Sequence, residues 1–322
     1  QQPHIEDECR KLTKYISTGT IVEVGCNDGL FLASIAKHGD FQCIGIEPNK
    51  VSSARARNQG FEVINKFFDE AIVDDLSDRK VDALFARQVM EHIPNVEKFL
   101  ASVNQLLSVG GYIGIEVPNT EIALKTGDIS CLWEEHVNYF TPSNLKIALE
   151  GMGFKVVEHS TYQFSGEATF MLAVKEKDVQ KFTLSSPQDI SLYKHYAQLV
   201  EQYTQLLKAK LIAYKAQGYQ VALYGSGCRS SMILHGLSLN AHIDLIIDDQ
   251  QEKQGLFMSA NDISIQGLSS LEQHNKYVFI LSVNHENDAL VSANILARKF
   301  DDFKMFSAHS PVNIIDALKN IS

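Results

Sequence analysis

From residue 20 to residue 118, short apolar runs alternate with longer amphipathic stretches. TIVEV (20–24), QCIGIE (42–47), FEVIN (61–65), VDALFA (81–86) and YIGIEVP (112–118) have the length and β-branched content of buried strands. Between them, GLFLASIAKHG (29–39), PNKVSSARARNQG (48–60) and NVEKFLASVNQLLSVGG (95–111) carry helical spacing and end in glycine, a residue that stops helices. This alternation predicts a parallel sheet covered on both faces, with ligands at the carboxyl ends of the strands. TPSNLKIALEGMGF (141–154) predicts a further helix, with Thr141 as N-cap and Pro142 at the first helical position. KVVEHS (155–160) and TFMLAV (169–174) predict a closing antiparallel pair.

Beyond residue 175 the pattern changes. Residues 190–218 predict one long helix with a stripe of Leu192, Tyr196, Leu199, Tyr203 and Leu206, fit either for packing on the domains or for a dimer seam. A second α/β pattern follows: strands YQVALYG (219–225), HIDLIID (242–248) and YVFILSV (277–283), a helix at SSMILHGLSL (230–239), and another near 287–300. The expected organisation is an α/β domain over 1–178 with a parallel-rich sheet, a linking helix over 179–218, and a smaller α/β domain over 219–322.

Composition narrows the function classes. The 322 residues carry a formal net charge of −10, which disfavours a nucleic-acid partner because phosphate binding needs a basic stripe. No run of about 18 apolar residues predicts a membrane span. The opening QQPHIEDECRK does not read as a signal peptide. The five cysteines, at 9, 26, 43, 131 and 228, form no CxxC pair, so no metal site is expected and a cytoplasmic location fits best.

Two glycine loops carry the candidate chemistry. The first, EVGCNDG, places Glu23, Gly25, Asn27, Asp28 and Gly29 at a strand-to-helix turn, where glycine lets backbone approach a ligand and the helix start offers N–H groups. GIEPN puts Glu47 and Pro48 at the end of the second strand, where a carboxylate can accept both ribose hydroxyls of an adenosine. Phe68 is placed to lie against an adenine, and Gln88, in ARQVMEHIPN (86–95), to touch the far half of such a ligand; His92 reads as structural or catalytic. After the fifth strand comes CLWEEHVNYF (131–140), in which Glu135 and His136 supply an acid–base pair and Tyr139 a hydrogen-bonding hydroxyl, with Trp133 as a wall. The same residues would also serve as a helix cap over packed aromatics. The second loop, GSGCRS (225–230) followed by Asp248, reads as a plain turn, a nicotinamide site, or a cradle for the phosphates of a nucleotide-linked acceptor.

An acidic residue followed by GxxxG, then GIEPN, resembles motif I and its partner in the class I S-adenosylmethionine-dependent methyltransferases. Adding the HIP segment, IEVPN and the EHxxYF box, the order resembles the sugar C-methyltransferases of deoxysugar biosynthesis. That resemblance implies a Rossmann-like methyltransferase domain and a smaller C-terminal Rossmann-like domain joined by the long helix. It implies S-adenosyl-L-methionine as cofactor and a nucleotide-linked keto-sugar methylated through an enolate. Where the family's box typically reads YHEHLSYF, this chain has WEEHVNYF, so Glu135, His136, Tyr139 and Phe140 match and Trp133 replaces a tyrosine. YGSGCRSSMIL (224–234) and DDQQEKQG (248–255) resemble the family's C-terminal turns, implying acceptor contacts from Gly225, Ser226, Arg229 (in place of a lysine) and Lys253. The family's cysteine-rich zinc-binding module has no counterpart in the sequence, and SGEATF (165–170) stands where the family has a glycine-rich segment. O-methylation of another small metabolite, or an NAD-dependent oxidoreductase using the second loop, are the alternatives, with a monomer or homodimer expected in either case.

Overall fold

The computed structural model describes residues 2–133, 135–163, 167–179, 190–259, 261–283, 287–308 and 314–319. Glu134 and the start of SGEATF lie outside the described residues. The chain divides into two compact units, one of residues 1–121 with 136–188 and one of residues 122–135 with 189–322.

The first unit is built on β1 (Thr18–Val24), β2 (Asp40–Ile46), β3 (Glu62–Ile64), β4 (Val81–Arg87), β5 (Leu107–Pro118), β6 (Phe154–Tyr162) and β7 (Ala168–Lys175). Their order is β3-β2-β1-β4-β5-β7-β6, and only β7 runs against its neighbours. The expected antiparallel pair is therefore present, with the later strand inserted beside β5. Around the sheet lie α1 (Gln2–Thr13), α2 (Leu30–Ile35), α3 (Lys50–Asn58), α4 (Glu70–Leu76), α5 (Val96–Leu106) and α7 (Pro142–Gly151), while α6 (Glu121–Thr126) falls, but for Glu121, in the second unit. Alternate strand residues feed opposite layers, as the pleat requires. Val22, Leu84 and Ala86 pack with α4, α5 and α7, whereas Ile21, Ala83 and Phe85 pack with α1 and α2.

Two expectations are corrected here. The helix expected over 95–111 ends at Leu106, and Leu107 opens β5. Leu107 pairs with Val81 and Tyr112 with Ala83, so a bulge containing Gly110 (φ 88°) absorbs the intervening residues. The amino-terminal stretch, read only for its polarity, forms α1, which buries Ile5, Cys9 and Leu12. Thr141 caps α7 as expected, in a reciprocal pair with Asn144.

The second unit holds β8 (Tyr219–Tyr224), β9 (Leu245–Ile247), β10 (Ile265–Gln266), β11 (Lys276–Leu281) and β12 (Asp302–Ser307), all parallel in the order β10-β9-β8-β11-β12. Its helices are α8 (Ser191–Ala216), α9 (Cys228–Gly236), α10 (Asp288–Ala297) and α11 (Ile314–Lys319). The buried stripe of α8 is Leu199, Tyr203, Leu207 and Leu211, every fourth residue. Leu206, expected in the stripe, is 48% exposed, because the contact line continues by fours rather than stepping back by three. Ile129, from the segment between β5 and α7, is part of this unit's core. Among the described residues, no helix is long and apolar enough to cross a membrane.

Candidate functional site

The turn after β1 is shaped by two left-handed residues. Gly25 has φ 71°, and a Cβ on it would come within 2.5 Å of Val89 Cγ2, so only glycine fits. Asn27 has φ 49°, a conformation asparagine tolerates better than most residues. Gly25 N–H donates to the Ile46 carbonyl (2.8 Å), and Asn27 N–H donates to Glu47 Oε2 (2.9 Å). Asn49 N–H donates to Glu47 Oε1 (2.7 Å), and Asn65 Nδ2 donates to the backbone oxygens of Glu47 and Pro48 (2.7 and 3.0 Å). Glu47 thus ties the glycine loop to the end of β2.

Beside this turn opens a cavity of about 910 Å³. Eight of the nine residues expected to bind a cofactor line it: Glu23, Gly25, Asn27, Asp28, Glu47, Pro48, Phe68 and Gln88. Gly29 does not line it. Its φ is 87°, and an added Cβ would lie 3.2 Å from both Ala56 and Phe61, which places it in helix packing. Phe68 is held edge-on to Phe99 (5.5 Å between centroids), while the neighbouring Phe67 is 77% exposed and also lines the cavity, leaving its ring the freer of the two.

One end of the cavity is a buried charge cluster of which the sequence pointed only to Glu23. His4, Glu23, Arg87 and Glu116 line it, and Glu8 lies behind. Arg87 Nε donates to Glu8 Oε2 (2.7 Å), and Arg87 Nη2 reaches Glu116 Oε1 (3.4 Å) and His4 Nε2 (3.0 Å). Gln88, with φ 54°, donates through Nε2 to Glu116 Oε1 (3.1 Å). Burial pushes the Glu23 carboxyl up to about 8 and drives Glu8 well above its ordinary value; burial also lowers His4. The sequence signal for His4 and Glu8 was the spacing of Ile5, Cys9 and Leu12, which makes residues 2–13 an amphipathic helix.

The presumed base sits on a second strip of the first unit. The carbonyl of Glu91 accepts the N–H groups of Val137 (2.9 Å) and Asn138 (3.1 Å), and Asn138 Nδ2 donates to the carbonyls of Met90 and Ile93. These bonds fasten residues 137 and 138 to the turn that follows β4. The His92 and His136 rings meet edge to face at 4.9 Å, and Tyr139 lies 6.4 Å from His136. Donor atoms of Glu91, His92 and His136 all lie within 4.8 Å of one another. Glu135, the expected acid partner of His136, is exposed, whereas Glu91 is buried, with its carboxyl pushed up by burial to about 8. Glu91 is thus a buried acid that the structure brings to the two histidines. Its signal in the sequence was its place beside His92 in MEHIP.

The second loop has the same plan. Gly225 (φ 113°) donates its N–H to Ile247 (2.7 Å), and Ser226 N–H donates to Asp248 Oδ2 (3.1 Å). The Ser226 hydroxyl (2.6 Å) and Lys253 Nζ (3.1 Å) bind the same oxygen, and Gln250 N–H takes Oδ1 (2.9 Å). Burial alone would raise the Asp248 carboxyl, but the bonds from Ser226, Gln250 and Lys253 outweigh it and hold it below its ordinary value. Gly225, Ser226 and Lys253 are thus brought to one place. Arg229, in the first turn of α9, lies over the Trp133 ring at 5.9 Å, within cation–π range.

Comparison with known proteins places both units. Residues 2–159 match the family described as a methyltransferase domain, and residues 174–299 match that described as a C-methyltransferase C-terminal domain. The chain is 25% identical to C-methyltransferase NovU of Streptomyces niveus over 82% of its own length and 66% of that protein's. It is 27% identical to the mitochondrial ubiquinone biosynthesis O-methyltransferase of Homo sapiens over 42% of this chain and 41% of that one. The chain thus spans less than two thirds of the length of these two curated relatives. A solved SAM-dependent methyltransferase from Archaeoglobus fulgidus aligns at a TM-score of 0.45 and 17% identity, over 54% of this chain and 95% of that one.

Proposed function

We propose that this chain, a methyltransferase-family domain followed by a C-methyltransferase C-terminal domain, is an S-adenosylmethionine-dependent methyltransferase acting on a small acceptor, with a nucleotide-linked sugar as the acceptor class. The observation that carries the cofactor reading is Glu47, fixed at the end of β2 beside the Gly25–Asn27 turn and facing the cavity. Each of its oxygens holds one backbone N–H, and a carboxylate oxygen has a second lone pair, so both can still accept a ribose hydroxyl. The donor set therefore fits the cofactor: Glu47 for the ribose, Phe67 and Phe68 for the adenine, and the charge cluster around Arg87 for the ammonium and carboxylate of the zwitterionic amino-acid end.

When bound, the cofactor supplies an electrophilic methyl group. The chain's own residues bind, orient and move the proton. His136, backed by His92 and Glu91, takes a proton from the acceptor, and Tyr139 steadies the oxygen left beside the new carbanion or alkoxide. Burial raises the Glu91 carboxyl to about 8, which favours its neutral form beside the two histidines near neutral pH. Arg229 and Lys253 provide the cationic surface for a nucleotide's phosphates, beside a Gly225–Ser226 turn whose own N–H groups are already donated to Ile247 and Asp248. C-methylation is favoured over O-methylation by the NovU relative and by the matching second family model.

Calorimetry with S-adenosylhomocysteine tests the cofactor reading, and a folded protein that binds none would overturn it. The acceptor reading is tested by S-adenosylhomocysteine release with nucleotide-linked keto-sugars against phenolic acceptors. Turnover of the phenols alone would replace it.

A further inference from the structure

We propose that Asn138 is a positioning residue for the base: its side-chain amide spans the turn after β4 and so mounts the His136 strip on the wall of the cofactor cavity. The inference rests on the reading of His136 as the base and of that cavity as the cofactor site.

The turn and the far end of the strip are each secured without this amide. Met90–His92 form one tight 3-10 turn. It is closed by its own bonds, from His92 N–H to the Val89 carbonyl (2.9 Å) and from Ile93 N–H to the Met90 carbonyl (3.3 Å). Met90 is fully buried in the core of the first unit. At the other end Phe140 is buried, and its carbonyl accepts both the N–H (2.9 Å) and the hydroxyl (2.8 Å) of Thr120. Between these anchors runs the strip from His136 to Tyr139. Residues 122–135 fold with the second unit, so His136 is the first residue of the strip that belongs to the first. The fastening at 137 and 138 therefore decides where its ring stands.

The amide of Asn138 bridges the turn. Its Nδ2 donates to the Ile93 carbonyl (2.6 Å) and to the Met90 carbonyl (3.2 Å). Between them the Glu91 carbonyl takes the backbone N–H groups of Val137 and Asn138. Holding two carbonyls at once needs one nitrogen with two N–H groups; a hydroxyl offers one proton and an ionised carboxylate none. The turn so held is itself cavity wall, because Val89, His92, Ile93 and Pro94 line the cavity. The His92 ring also meets the His136 ring across the same seam, at 4.9 Å. The aim of the base is thus set from the element that walls the cofactor. Proton removal and methyl transfer need the reacting atoms at about 3–3.5 Å, and a displacement of about 1 Å costs roughly 100-fold in rate.

The test separates aim from stability. Asn138→Ala should lower kcat on a nucleotide-linked keto-sugar, counted as S-adenosylhomocysteine released, by roughly 10- to 100-fold, with KM and S-adenosylhomocysteine affinity kept within about twofold. Asn138→Ser retains one donor and should fall between Ala and the native chain, whereas Asn138→Asp keeps the shape without the donors and should do no better than Ala. An unchanged kcat would overturn the inference, and so would a loss that only follows the folded fraction in thermal unfolding or the cofactor affinity. A second readout needs no acceptor. The side-chain nitrogen NMR signals of His136, identified by their absence in His136→Ala, should shift when S-adenosylhomocysteine saturates the native chain and shift less in Asn138→Ala. Equal shifts would overturn the inference and leave the cofactor reading standing. If no keto-sugar turns over, the acceptor reading fails and the NMR comparison decides alone. If Asn138→Ala does not fold, Asn138→Ser takes its place in both measurements. A folded native chain that binds no S-adenosylhomocysteine would remove the cofactor reading and the inference together.

Discussion

In the first unit Gly25 donates to Ile46, Asn27 to one oxygen of Glu47, and Asn49 to the other; in the second, Gly225 donates to Ile247, Ser226 to one oxygen of Asp248, and Gln250 to the other. The bonds correspond one for one, on sheets whose first five strands share an order. The difference lies in what else the acid holds. Asp248 adds the Ser226 hydroxyl and the Lys253 ammonium, while Glu47, one methylene longer, faces a cavity of about 910 Å³. A glycine turn with an acid at the next strand end is therefore first a way to anchor a loop. It becomes a ligand site where the acid retains lone pairs and room in front of them.

The comparison would break first at the two acids. Glu47→Ala should weaken S-adenosylhomocysteine binding by roughly 100-fold or more, since it removes hydrogen bonds to a charged acceptor, whereas Asp248→Ala should leave that affinity unchanged. Equal losses in calorimetry would mean that the two loops do not divide the labour. His136→Ala should lower kcat by about 100-fold or more while cofactor affinity is kept; a parallel loss of affinity would make His136 part of the cavity wall. Gly25→Ala forces a left-handed backbone and a 2.5 Å clash with Val89, and should cost about 3 kcal/mol in urea unfolding. Gly227→Ala, at φ −90° with open space around it, should stay within about 0.5 kcal/mol.

Smaller effects separate the units by pH. Glu23 and Glu91 have folded-state pKa values raised to about 8, so the stability they contribute is complete below about 4.5 and is lost as pH rises through about 8. The ligand-free protein should lose roughly 2 kcal/mol for each of the two groups between about pH 6 and 8, read as a falling Tm. Asp248 has the opposite sign. Its pKa is depressed, and its contribution is present above 3.8 and lost as pH falls below it. Smallest of all, Lys253→Ala should cost about 0–1 kcal/mol, because the lysine is 32% exposed and solvent screens its pair with Asp248.

Much of this is legible in the amino-acid sequence alone. The alternation of strands and helices carries the sheet order's first five strands, because buried parallel strands are short, apolar and bounded by turns. What escaped has specific causes. In β12, Asp302–Ser307, every residue is only partly buried, so an edge strand with no alternation gives no periodic signal. The start of β5 was hidden in a helical pattern because Leu106 and Leu107 are both buried, one closing a helix and one opening a strand. At the site, the cavity residues were readable from two motifs, whereas the approach of Glu91 to His136 was not. Glu91 reaches it from a turn more than forty residues earlier in the chain, and sequence neighbourhood favoured Glu135 instead.

The residues from Ile122 to Glu135 fold with the second unit although chain belonging to the first unit lies on both sides of them. Gly127 lies against Leu199 and Ile314, and Ile129 shares a core with Leu207 and Leu318. During synthesis this apolar segment emerges long before its partners do. The nascent chain must carry Ile129 unburied while the first sheet forms, and a chain truncated after residue 188 would strand it permanently. The two units are thus separable as structures and inseparable as genes: no single cut yields both.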